Sequence, residues 1–500
     1  MAAAAVLALA PMALQAQPAR PVTAIEAKTA EIDALFAKFQ AETPTPGLVY
    51  GIVADGRLVH VRGFGVQDPV SKRPVTPDSL FRIASMTKAF TALSILSLRD
   101  ASKLSLDDLA EKHVPEMRNW KYPTADSPRI RIRDLLTHTA GFVTDDPWGD
   151  RQTPLPEADF TRMLAAGVPF SRTPGLAHEY SNFGYALLGR IIQNVSGMPY
   201  RSYVERTILG PLGMTSSGYE VSEWPIERRA IGYRWKDERW REEPTMRHGA
   251  FGAMGGLQVS ANDYAKWIAF LLSAWPPRDD PETGPVRRSS VRELTQGSNF
   301  VRTERRAGST GEGACPQARA YGLGFRIAED CDLGLTMSHG GGYPGYGSHV
   351  LLLPDRGIGI FAFTNRTYTG AAGVVWDAAM LLRGAGGSRP AAPPNASLNQ
   401  AHDAVRMMYA KGDVTAAQPS LAMNFLMDRD AKDWKAELAT LRGQLGACAG
   451  KTEPLHVNSA MSVSFRWHCD KGMLDGMILL APTNPPTIQS LGFRPVPVQP

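Results

Sequence analysis

"FRIASMTKAF" (residues 81–90) sets a serine and a lysine three positions apart, Ser85 and Lys88, in a run otherwise apolar or small. Positions i and i+3 share one helix face, so the hydroxyl and the amine can touch. A serine hydroxyl is a weak nucleophile until a base takes its proton. A lysine can be that base when an apolar surround depresses its pKa, and Phe81, Ile83, Met86 and Phe90 supply such a surround. The start of a helix also aims backbone N–H groups and the positive end of its dipole at Ser85, where an oxyanion would develop. Alone, however, the pattern is weak, and a capping serine beside a surface lysine is the ordinary reading of it.

Two further constellations shift that balance. Tyr180-Ser181-Asn182 is the only Tyr-x-Asn in the chain. Its phenol can pass protons and its amide can hydrogen-bond a substrate carbonyl or amide; the bland reading has Tyr180 packing and Asn182 capping the next helix. His339-Gly340-Gly341 is the only His-x-Gly. Its glycines admit close backbone approach and free N–H groups for an oxyanion, although a Gly-rich turn with a solvated histidine would look the same. Two other patterns fail. Gly340, Gly342 and Gly345 match a dinucleotide fingerprint, but strand-like sequence follows where a helix is required. "GACAGKT" (446–452) is one residue short of a phosphate loop.

Around these motifs the chain reads as α+β. "GLVYGIVADGRLVHVRGFG" (47–65) flanks the turn pair Asp55-Gly56 with apolar runs, a hairpin signature. "GSHVLLLPDRGIGIFAFTN" (347–365) repeats the pattern. Strands at both ends of a largely helical region imply an antiparallel sheet built from distant parts of the chain, flanked by helices. Helices are expected over "SLDDLAEKHV", capped by Ser105, over "SNFGYALLGRIIQNVSG", ending at Gly197, and over "SANDYAKWIAFLL", capped by Ser260 or Asn262. Residues 384–400 form a Gly/Pro/Ala-rich linker. Beyond it, 401–500 reads as a small α+β accessory domain, with "SVSFRWHCD" alternating strictly as a strand should.

Residues 1–16 resemble a secretory signal, without the usual basic start. No later run reaches the roughly 18 apolar residues of a membrane span, so no stable membrane insertion is expected. A net charge of +5 without basic blocks gives no reason to expect nucleic acid. Four cysteines, Cys315, Cys331, Cys448 and Cys469, fit no zinc spacing. Paired as neighbours, 315 with 331 and 448 with 469, they would close two short loops in a periplasmic or secreted protein. Two other connectivities, and buried free thiols, remain compatible.

The three motifs in this order, about 95 and 159 residues apart, resemble the penicillin-recognising serine hydrolases, the group of class C β-lactamases, D-aminopeptidases, DD-carboxypeptidases and β-lactamase-like esterases. "IRIRDLLTHTAGF", "ILGPLGM" and "GGLQVSANDYAKW" strengthen the resemblance, which covers residues 30–380 and not the C-terminal region. It implies a hydrolase domain over residues 25–383, with an all-helical subdomain against the sheet and the active site between them. It also implies an acyl-enzyme mechanism without cofactor or metal. Ser85 would be the nucleophile, Lys88 and Tyr180 the proton-handling pair, and Asn182, His339, Gly340 and Gly341 the substrate wall. The N–H groups of Ser85 and Gly342 would form the oxyanion hole. His138, in "THT", is read as structural.

One departure matters. Class C β-lactamases carry lysine where His339 stands. Histidine, with a reference pKa of about 6.5, is mostly neutral at pH 7, so a substrate carboxylate would be held less firmly. That favours small-molecule esters, or peptides lacking a free carboxylate beside the scissile bond, and a carboxylesterase as the leading reading. A D-peptidase or amidase, a β-lactamase, and a catalytically idle penicillin-binding sensor are the alternatives.

Overall fold

The computed structural model describes residues 21–305, 315–384, 393–448 and 453–497, and the chain divides into two compact units, 1–389 and 390–500. The leader at 1–16 and residues 385–392 of the linker lie outside the described residues.

Asp55 and Gly56 both take left-handed φ, 49° and 73°, as a two-residue hairpin turn demands. They join β1 (Gly47–Ala54) to β2 (Arg57–Asp68), whose outer neighbour is β3 (Arg73–Pro74). Later strands are β4 (Asn299–Arg305), β5 (Pro316–Tyr321), β6 (Arg326–Asp330), β7 (Gly334–Tyr343), β8 (Tyr346–Leu353) and β9 (Ile358–Thr364). Among the described residues they form one nine-stranded antiparallel sheet, ordered β3-β2-β1-β9-β8-β7-β6-β5-β4. β1 meets β9 from Leu48 opposite Thr364 to Ala54 opposite Ile358, so the two ends of the unit close on each other at the sheet's middle.

The period of two assigns β1 to two cores. Leu48, Tyr50 and Ile52 pack with Ile32 and Phe36 of α1 (Thr29–Glu42) and with Val375 and Ala378 of α5 (Ala372–Leu381). Val49 and Val53 face the opposite side, with α2 (Thr87–Asp100), α3 (Asn182–Ser196) and α4 (Ala261–Leu272). No strand occurs between residues 83 and 216, a stretch of helices and turns.

Helix ends follow local chemistry, with two departures from the sequence reading. α3 is capped by Ser181, whose Oγ accepts the Gly184 N–H, and it stops at Gly197 with φ 71°. Asn182 is the first helical residue rather than the cap. Ser105 caps no helix: its N–H donates to Asp108 and its Oγ accepts the Asp107 N–H. That side-chain turn competes with helical bonding, and the helix is only Ala110–His113. For α4 the cap is Ser260, accepting the Asp263 N–H.

The second unit pairs β10 (His456–Ser459), β11 (Ser462–Cys469), β12 (Gly472–Leu480) and β13 (Ile488–Pro497) in an antiparallel sheet. Val463, Phe465 and Trp467 pack with α6 (Ala396–Lys411) and α7 (Ala431–Leu445). α6 begins, capped by Asn395, inside the stretch read as linker. The cysteines pair as Cys315–Cys331 and Cys448–Cys469. No helix among the described residues is long and apolar enough to cross a membrane.

Candidate active site

Ser85 sits in a single turn, Ala84–Met86, that runs directly into α2. Ala84 holds a left-handed φ of 49°, a strain of roughly 1–2 kcal/mol for a residue with a Cβ. The surroundings impose it. The Ile83 N–H donates to the Leu257 carbonyl at 3.0 Å, and the Ile83 carbonyl accepts the Ser348 hydroxyl at 2.8 Å. Gly341 on β7 lies against the same turn: a Cβ there would stand 2.3 Å from the Ile83 oxygen and 2.2 Å from Ser348 Oγ. The glycine of the third motif therefore lets the strand touch the turn that carries Ser85.

Lys88, the second residue of α2, is fully buried. Its Nζ lies 2.7 Å from Asn182 Oδ1, 2.9 Å from the Met254 carbonyl and 3.1 Å from Ser85 Oγ. The first two groups can only accept. A neutral amine satisfies both with its two N–H bonds and turns its lone pair to the Ser85 hydroxyl. Burial lowers the Lys88 pKa to about 8, with Asp146, Asp150 and Asp145 pulling it up and Arg326 pushing it down.

The second motif reaches the same point. Lys88 Nζ stands 4.9 Å from the centre of the Tyr180 ring. Burial pushes the Tyr180 phenol well above its usual pKa, with Tyr321 and Asp146 adding to the shift and a contact with the Ser85 hydroxyl offsetting part of it. The group is therefore a neutral phenol. His138 supports it: Nδ1 accepts the Ser181 N–H at 3.1 Å, and its ring lies 4.4 Å from that of Tyr180.

His339 stands beside Tyr180, ring centres 6.2 Å apart, and is only 2% exposed. Nδ1 donates to the Gly340 carbonyl at 2.6 Å, which leaves Nε2 to accept the Tyr321 hydroxyl at 3.0 Å. Burial, helped by Arg326 and Lys88, drives its pKa well below the usual value, so the ring is neutral. Past Ser338, which lies opposite Arg326, β7 is paired among the described residues on one side only, with β8. The backbone of Gly341 and Gly342 therefore has no strand neighbour there among the described residues, while the Gly340 carbonyl is taken by His339 and the Tyr343 carbonyl by the Tyr368 N–H.

Four residues here were not singled out from sequence. Arg326 on β6 is exposed, makes no ion pair among the described residues, and lines a cavity of about 410 Å³ with Tyr180, His178 and Tyr321. The other three lie in "TDDPWGD". Asp145 accepts the Asn182 and Phe183 N–H groups at 2.7 and 2.8 Å, an acid at the start of α3. Asp146 Oδ1 accepts Asn182 Nδ2 at 2.5 Å and so fixes which amide atom faces Lys88. Asp150 accepts the Tyr368 hydroxyl at 3.0 Å; burial, together with the charge of Asp146, lifts its carboxyl to about 7. Only the clustering of acids in a loop after "THTAG" could have drawn attention to them.

The family model described as Beta-lactamase matches residues 32–385. Protein flp of Staphylococcus aureus (strain COL) is 31% identical over 327 residues, 64% of this chain and 59% of that protein. Beta-lactamase-like protein 2 of Dictyostelium discoideum is 27% identical over 288 residues, 55% and 51% respectively. The chain thus spans less than two thirds of the length of these curated relatives. Among solved structures, the octameric penicillin-binding protein homologue from Pyrococcus abyssi matches with a TM-score of 0.58 at 23% identity, over 90% of this chain and 96% of that one. A class C beta-lactamase matches at 0.55 and 19% identity, over 71% and 96%. These two likenesses show a shared fold.

Proposed function

The chain belongs to the beta-lactamase family of penicillin-recognising serine hydrolases, and on that premise we propose that it hydrolyses carboxylic esters through an acyl-enzyme on Ser85. Neutral Lys88 takes the Ser85 proton as Oγ bonds to the ester carbonyl carbon. The N–H groups of Ser85 and Gly342 receive the oxyanion. As the carbon–oxygen bond to the leaving alcohol breaks, the Tyr180 phenol gives that oxygen its proton, and the Lys88 ammonium returns a proton to the phenolate, leaving both groups neutral. Water then attacks the acyl-enzyme, with the same groups working in reverse, and releases the acid. Asn182, His339, Gly340 and Gly341 wall the substrate. The two disulfides support an oxidising compartment, periplasmic or extracellular.

The observation that carries this reading is the set of three contacts on Lys88, which leaves a lone pair on Ser85 when the amine is neutral. A second reading, hydrolysis of peptides or amides that end in a carboxylate, is favoured by Arg326, an exposed guanidinium without an ion pair among the described residues and close enough to lower the pKa of His339. Release of p-nitrophenol from short esters by wild type, and none by Ser85→Ala, supports the first. Turnover of D-alanyl peptides or of nitrocefin at higher kcat/KM than any ester moves the assignment to peptidase or β-lactamase. A folded protein inert to all three leaves a binding module.

A further inference from the structure

Tyr368 follows β9 and holds a left-handed φ of 54°, an uncommon conformation for a bulky residue. Two contacts fix its side chain. A Cβ built on Gly342 would stand 2.9 Å from Tyr368 Cδ1, so the ring lies against the backbone of that glycine. The hydroxyl donates to Asp150 Oδ2 at 3.0 Å. Asp150 belongs to the loop packed on Asn182, where a Cβ on Gly149 would stand 2.8 Å from the Asn182 Cβ. The preceding residue makes a second tie: buried Glu243 accepts the Thr367 hydroxyl at 3.0 Å and pairs with Arg151 at 3.4 Å. Tyr368 therefore bridges the sheet and the helical stretch beside Ser85, yet it stays 41% exposed. Its ring is held at both ends without being packed into a core.

The direction of the reaction tells which part of a substrate meets this ring. Tyr180 gives its proton to the leaving oxygen, so the leaving group lies on the Tyr180 side of the scissile carbonyl. Tyr180 stands beside His339 and lines the cavity of about 410 Å³ that continues toward Tyr321 and Arg326. Strand residues rise about 3.3 Å each, so Gly342 lies about 10 Å along β7 from His339. The oxyanion is received at Gly342, and Tyr368 rests on that same residue. The leaving group thus has open space on its side, whereas the acyl group runs toward a fixed aromatic ring.

We propose that Tyr368 is the end wall of the acyl pocket and sets the length of acyl chain that Ser85 accepts. This rests on the Ser85 acyl-enzyme reading and names a specificity-determining residue of that site. Short acyl groups fit between Ser85 and the ring. Longer ones collide with it, and the ties to Asp150 and, through Thr367, to Glu243 keep it from swinging aside.

The test measures kcat/KM for p-nitrophenyl acetate, butyrate and octanoate, which share one leaving group, with full-length wild type, Tyr368→Phe and Tyr368→Gly. Glycine takes the left-handed backbone of this position without strain. In wild type the better short ester is expected to exceed the octanoate by about tenfold or more. In Y368G the ratio is expected to fall toward one through a rise in octanoate kcat/KM above the wild-type value, a gain that loss of a merely structural tie does not produce. Y368F keeps the ring and is expected to keep most of the ratio. Octanoate turned over by wild type as fast as the short esters, or a ratio kept in Y368G, overturns the wall. A phenylalanine variant as permissive as glycine assigns the effect to the Asp150 bond and overturns the ring as the wall. Labelling of Ser85 by a fluorophosphonate probe separates the two layers. Ser85 labelled, with no ester turned over or with a ratio that ignores residue 368, defeats the wall alone; no labelling and no turnover defeats the acyl-enzyme reading and the wall with it.

Discussion

A Cβ built on Gly341 would stand 2.3 Å from the carbonyl oxygen of Ile83. The glycine of the third motif and the turn of the first, more than 250 residues apart in sequence, thus touch through backbone. Gly341→Ala must push that turn away from β7, and Ser85 moves with it. Overpacking of this kind costs about 1–3 kcal/mol, and a nucleophile misplaced by about 1 Å loses on the order of 100-fold in rate. A melting curve and kcat/KM on one ester check both. An alanine variant with unchanged kcat/KM contradicts the contact.

The Lys88 amine must be neutral to take the Ser85 proton. With its pKa near 8, kcat/KM is expected to rise with pH through that value and then level. The Asp146 carboxylate favours the ammonium form, so Asp146→Asn makes the lysine easier to deprotonate and moves the rise to lower pH. A pH–rate profile of the two proteins reads the difference, and a midpoint that stays or moves upward contradicts it.

Asp150 titrates near 7 when folded and near 3.8 in an unfolded chain. Between those values the folded state holds more protons, so this group's contribution to stability falls as pH rises, and above 7 its full penalty is present. Asp150→Asn removes the charge and keeps an oxygen for the Tyr368 hydroxyl. Its melting temperature is expected to exceed that of wild type by about 2 °C or more at pH 8, with little difference near pH 4. An equal gain at both values argues against a buried carboxylate as the cause.

Arg326 tests the second reading of the substrate. For paired esters that differ only in a carboxylate on the leaving alcohol, Arg326→Gln is expected to lower the charged-to-neutral ratio of kcat/KM by about tenfold. High salt is expected to do the same in wild type to a smaller extent. A ratio indifferent to both places the substrate away from β6.

Local signals in the sequence carried much of this. Asp55-Gly56 declares its hairpin because only the left-handed region closes a two-residue turn, and Gly197 marks the end of α3 for the same reason. What stayed hidden is set by chain topology. The antiparallel match of β6 to β7 brings Arg326 opposite Ser338, so a cation stands on the strand next to His339, which no local pattern reveals. The "TDDPWGD" loop reaches Lys88 only because α3 begins beside it. Ser105 misled because a serine followed by acids describes a side-chain turn as well as a cap.

The central claim is that Ser85 is an activated nucleophile because Lys88 shares its proton. Intact-protein mass spectrometry after exposure to a fluorophosphonate probe, followed by peptide mapping, tests it most directly. One probe per chain on the peptide containing Ser85, a labelling rate that climbs with pH through about 8, and loss of label in folded Lys88→Ala are the results predicted. A folded wild-type protein that takes no probe, or takes it at another serine, would contradict the account.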